Sequence, residues 1–155
     1  MRHAHPGRSS RPITPRNSSD EELRLVAEKG GYVGVYFASF INPGHPWGSE
    51  DVANHIDHAI KICGEDHVGI GSDHGVNDVG DIDTAQAYVA KLVAERRARG
   101  ISVSGEGTPF GTDLLGPNQF RVMADTLSKR GYSPRLMEKI MGQNFLRYAK
   151  DVWGA

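Results

Sequence analysis

His67-Val68-Gly69-Ile70-Gly71-Ser72-Asp73-His74-Gly75 reads as a short apolar strand that ends in a carboxylate and then a glycine. In α/β proteins with parallel strands, the carboxyl ends of strands are where ligands are met and catalytic side chains sit. Gly69 and Gly71 leave out side chains where a helix or ligand must come close. Asp73 has two readings there. It is a metal ligand or proton carrier, or it caps the turn after the strand.

Upstream, Ser49 reads as a helix cap with Glu50 and Asp51 in the first turn. Val52, Ile56, Ala59, Ile60 and Cys63 then form a helical stripe that Gly64 ends. Before the Pro- and Gly-rich loop 42–48, the run Tyr32–Ala38 is apolar throughout, as a strand buried on both faces is. Ser19 with Glu22 has capping-box spacing and opens a helix that Gly30-Gly31 stops. Residues 1–17 are polar and broken by Pro6, Pro12 and Pro15, a loop.

Downstream, a helix is predicted from about Asp83 to Arg99, with Ala85, Val89, Leu92 and Val93 facing inward. Ile101–Ser104 reads as a short third strand and 105–118 as a glycine-rich loop. The rest is helical: Phe120, Val122, Met123 and Leu127 first, then Ser133-Pro134 as cap and first position of another helix. Asn144 is read as the cap of a last helix through Trp153. Strands alternating with helices imply an α/β fold of βαβ units with about three parallel strands, in a single domain. A closed barrel needs eight strands, so the expectation is a small open sheet or part of a barrel.

Composition is that of a globular chain: 155 residues, 38% hydrophobic, 24% charged, formal net charge −1. That balance argues against a nucleic-acid surface, and Arg96, Arg97 and Arg99 suit a helix C-terminus better than an anion site. No membrane-length apolar run and no signal-peptide pattern is present, which favours a cytoplasmic chain. The single cysteine, Cys63, reads as buried packing. His55 and His58 share a helical face and could chelate a metal, but structural or surface roles weigh more. His67 reads as structural, and His74 could reach the Asp73 site. Arg16 is either a loop residue or a clamp for a substrate carboxylate.

Five stretches follow in order: Pro15-Arg16-Asn17 with Ser19-Asp20-Glu21, Gly30–Val35, His55-Ile56-Asp57-His58 leading into Asp66–Asp73, Arg130–Ser133, and Met141–Arg147. Together they resemble the membrane (renal) dipeptidase family, the zinc dipeptidases of peptidase family M19. The resemblance implies a (β/α)₈ TIM-type barrel that hydrolyses dipeptides with water activated by two zinc ions, and often a homodimer. It implies His5 as a zinc ligand, eleven residues before Arg16. It implies Arg16 as the clamp on the substrate carboxylate and Asp73 as the group that handles the proton of the attacking water.

The departures shape the expectation. The family's His-x-Asp motif, bridging glutamate and two further histidines precede the part matched here, so the chain is expected to be the C-terminal portion of a barrel, inactive alone. The family's Ser-Asp-Phe-Asp-Gly is here Ser72-Asp73-His74-Gly75, His5 lies in Ala4-His5-Pro6, and helix 83–99 with its following loop is longer than usual. The alternatives are a non-catalytic homologue that needs a partner chain, or another metal-dependent amidohydrolase on the same barrel.

Overall fold

Ser19 opens the first helix as the spacing requires: its Oγ accepts the Glu22 N–H at 3.2 Å, and the Glu22 carboxylate accepts the Ser19 N–H at 2.6 Å. The structure, a computed structural model, describes residues 18–102 and 106–154. From this cap run α1 (Asp20–Glu28), β1 (Val33–Tyr36), α2 (Ser49–Cys63), β2 (Val68–Gly71), α3 (Ile82–Ala98), α4 (Gln119–Lys129), α5 (Pro134–Glu138) and α6 (Asn144–Trp153). Short 3₁₀ turns lie at Ser39–Ile41 and Gly116–Asn118, and a π-helical segment, Lys139–Gln143, joins α5 to α6.

β1 and β2 pair in parallel, with Val33 opposite Val68 and Tyr36 opposite Gly71, so β1–α2–β2 is one βαβ unit. Alternation along the strands puts Val33, Val35 and Val68 on one face and Gly34, Gly69 and Gly71 on the other. The first face joins the core with Val52, Ile56 and Ala59 of α2, and with Leu114, Met123, Leu127 and Ile140. On the second face the glycines make room for protein. A Cβ at Gly69 would run into the Tyr32 phenol and lie 3.0 Å from the Ile140 carbonyl oxygen, and Tyr32 Oη donates to the Ile70 carbonyl at 3.1 Å.

Three expectations need correction. The described residues hold two strands, not three: Ile101 and Ser102 are irregular, and 103–104 lie outside the described residues. The inward face expected for α3 has no core to enter, because none of its side chains is buried and Leu92 is 39% exposed. Spacing reveals an apolar stripe but not what covers it.

The third correction concerns caps. Ser49 is the first residue inside α2, and the cap comes from the glycine-rich loop: Asp113 accepts the Ser49 N–H at 2.8 Å and its hydroxyl at 2.5 Å. Thr126 Oγ1 of α4 donates to Ser49 Oγ at 2.9 Å, which ties three segments together. Asn144 caps nothing. It is buried, and its amide donates to the Glu65 and Val68 carbonyls at 2.7 Å each, holding the entrance to β2. Ser133, in contrast, caps α5 as its Ser-Pro pair predicts, accepting the Leu136 N–H.

The remaining quoted stretches also serve as joints. Arg130 pairs with Glu50 and Asp57 of α2, and Tyr132 Oη donates to Asp57 at 2.5 Å. Lys139 bridges Glu65 and Asp66 ahead of β2, at 2.7 and 2.5 Å.

Candidate active site at the strand ends

Parallel pairing brings the carboxyl ends of β1 and β2 side by side, and the polar groups converge there. Tyr36, the last residue of β1, donates its phenol hydrogen to Asp73 Oδ2 at 2.7 Å. Asp73 has φ 55°, the one residue other than glycine with positive φ among those described. Left-handed backbone costs a residue with a Cβ roughly 1–2 kcal/mol, so Asp73 holds a conformation that a glycine would adopt without strain. The neighbouring carboxylate holds the Tyr36 phenol above its ordinary pKa, and partial burial adds to this.

His74 turns inward from the same corner. Its ring lies 5.9 Å from that of Trp47 and 6.4 Å from that of Phe37, edge-on to the latter. Burial holds the imidazole below its usual pKa, outweighing Asp73 and a hydrogen bond to Pro109, which both favour the charged ring. Trp47 is itself buried and fastens the loop over this corner: its indole donates to the Thr108 carbonyl at 3.2 Å, and its own carbonyl accepts the Thr112 N–H at 2.8 Å. A cavity of about 430 Å³ opens beside Asp73, between the strand ends and α3. That size is within the ~300–1,000 Å³ of small-molecule sites.

Three further histidines of the described residues have structural partners. His55 Nε2 lies 3.1 Å from the Ile41 carbonyl, His58 Nε2 2.8 Å from Asp20, and His67 Nδ1 2.9 Å from the Gly31 carbonyl. His55 and His58 line a second cavity of about 430 Å³ between α1, β1 and α2, which shares Tyr36 and Phe40 with the first. Cys63 is buried against the Leu23 carbonyl, and burial raises its thiol pKa, so it is no nucleophile. Arg96 meets Glu106 at 3.1 Å rather than an anion.

His5 and Arg16 lie outside the described residues. Among the described residues no group of three or more His, Cys, Asp or Glu side chains could hold a metal ion. Asp73 is engaged by Tyr36, and His74 is packed between aromatic rings and bonded to Pro109. These residues alone do not fit a zinc centre, which needs three or four converging donors. Sequence reading missed Tyr36 because the strand run hides it among apolar neighbours. The signal was its place at the strand's end, level with the end of β2.

The family model for membrane dipeptidases, peptidase family M19, matches residues 5–103. The chain belongs to this family. The M19 chain is 29% identical over 148 residues to an uncharacterized protein from the pqqA 5′ region of Klebsiella pneumoniae, covering 90% of this chain and 42% of that protein. It is 31% identical to the dipeptidase ataJ of Aspergillus terreus, covering 96% of this chain and 30% of that one. It thus spans less than half the length of either relative.

Among solved structures, this M19 chain resembles the dipeptidase AC, a metallopeptidase of the same family, with TM-score 0.65, 27% identity and coverage of 92% of this chain and 35% of that one. An amidohydrolase from Pseudomonas aeruginosa matches with TM-score 0.65, 33% identity and coverage of 93% and 43%. No helix among the described residues is long and apolar enough to cross a membrane.

Proposed function

We propose that this chain forms the Asp73 side of a metal-dependent dipeptidase site, on the C-terminal part of a (β/α)₈ barrel. One observation carries the reading: within the region matched to the family, Asp73 stands at the carboxyl end of β2, oriented by Tyr36 at the mouth of a cavity of ligand size. A carboxylate so placed accepts a proton from the water that attacks the peptide carbonyl. By family resemblance, Arg16 holds the substrate's carboxylate, zinc is the metal, and His5 is one of its donors. His5 and Asp73 are too few to hold two ions, so the 155 residues alone are expected not to turn over.

The test is substitution to Asn at the Asp73 position of an active M19 dipeptidase. We expect turnover to fall ~10²–10⁴-fold with the fold kept. Activity retained together with a loss of stability would return Asp73 to a turn-capping role.

A second reading, a non-catalytic chain that pairs with another, has one observation in its favour. The described sheet has two strands, each with one unpaired edge, and a two-stranded sheet is marginal by itself. Sedimentation of the purified chain separates the two: a well-folded monomer sinks the pairing reading.

A further inference from the structure

The cavity at Asp73 has two unlike walls. One is mixed and comes from the strand ends, where Tyr36, Asp73 and His74 stand beside the apolar Phe37, Ala38 and Phe40. The other comes from α3, which contributes Val89, Leu92 and Val93. These three fall at i, i+3 and i+4, one patch on the helix surface. α3 buries no side chain in the core: Val89 and Val93 are half-buried and Leu92 is exposed, so the stripe faces the cavity rather than the interior.

The polar groups around the cavity are already engaged with protein. Ser39 Oγ accepts the Gly107 N–H at 3.2 Å, His74 bonds to Pro109, and Arg96 Nε meets Glu106 Oε1 at 3.1 Å. An entering group therefore meets the aliphatic stripe of α3 on one side, and on the other Phe37 and Phe40 together with the Tyr36–Asp73 pair, the one carboxylate there that protein cations leave uncovered. An acidic side chain would lose its hydration beside a carboxylate, which costs far more than an aliphatic one gains.

We propose that Val89, Leu92 and Val93 form a side-chain subsite that selects aliphatic residues in the substrate. The proposal rests on the dipeptidase reading only for what that substrate is. The subsite belongs to α3 and hence to this chain's longer segment between β2 and α4.

The test uses the full 155-residue chain with ¹³C-labelled Val and Leu methyl groups, titrated with N-acetyl-leucinamide, N-acetyl-aspartate amide and N-acetyl-lysinamide. The leucine probe is expected to shift the methyls of Val89, Leu92 and Val93 at concentrations at least tenfold below those needed for the other two. Leu92→Asp should weaken the leucine response at least tenfold with an unchanged far-ultraviolet circular dichroism spectrum. If that variant does not fold, Leu92→Ala reads the same effect on a milder scale.

Methyls that stay unmoved, an equal response to all three probes, or a preference for the lysine probe would overturn the proposal. So would a leucine response indifferent to substitution at Leu92. A leucine-selective response alongside an M19 relative that keeps its turnover without the Asp73 carboxylate would sink the catalytic reading and leave the subsite standing.

Discussion

Tyr36 and Asp73 close a hydrogen bond of 2.7 Å between the last residue of β1 and the second residue beyond β2. The bond spans neighbouring strand ends, so it exists only when the parallel register is correct. It also fixes a carboxylate whose backbone sits at φ 55°.

Asp73→Gly separates the two roles of that residue. Glycine takes positive φ freely, so the variant should be more stable by about 1 kcal/mol, less whatever the bond from Tyr36 contributes. The carboxylate, and any function resting on it, is gone. Urea denaturation measures this, and a clear destabilisation would mean that the Tyr36 bond outweighs the backbone strain.

The phenol reports on the same pair. Because the Asp73 carboxylate raises the Tyr36 pKa, Tyr36 keeps its proton to a higher pH than an ordinary phenol does. Asp73→Asn should bring that titration back down, which ¹³C NMR at the Tyr36 Cζ can follow. Tyr36→Phe should cost about 0.5 kcal/mol, the low end for a hydrogen bond, because Tyr36 is 40% exposed.

His74 predicts a pH dependence of stability. Burial lowers its folded-state pKa below 6.5, so near that pH the unfolded chain binds the proton more readily than the folded one. Stability should therefore rise with pH up to and through about 6.5, and the penalty should be fully present below the lowered folded pKa. Replacing His74 by Phe should flatten that segment of a stability–pH curve, and an unchanged slope would assign it to other groups.

Asp113→Ala removes the cap of α2 from outside the helix. Two hydrogen bonds to Ser49 are lost, and a cost of about 1–2 kcal/mol is expected. Asn144→Ala should cost more, about 2–3 kcal/mol, because it leaves two carbonyls without their donor in a buried place. A shift in the denaturation midpoint at constant slope measures each.

The parts of the fold legible in the sequence are those that local rules specify. The Ser19–Glu22 box, the α2 stripe, the Ser133-Pro134 start and the strand at Val68–Gly71 all rest on residues close together in the chain. Asp73 was legible as a strand-end carboxylate, but Tyr36 as its partner depended on β1–β2 register, which no short stretch encodes. Asp113 was illegible as a cap because it stands 64 positions from Ser49. Asn144 stands two residues after Gly142 and carries a cap-forming side chain, so local rules favour a cap; burial against β2 decides otherwise. Spacing marks the Val89–Val93 stripe as apolar but does not place it in the core, since periodicity is silent on what lies opposite.

The distance between Ser49 and Asp113 also bears on synthesis. At ~5–20 residues per second, the nascent α2 precedes Asp113 by roughly 3–13 s. For that interval the first turn of α2 keeps only the local bond from the Gly48 N–H to Asp51 and lacks the acceptor for Ser49, while its later turns can already pack against β1. The βαβ unit therefore becomes complete at its amino-terminal corner only after the loop has been translated, and the roof over Asp73 arrives in the same step.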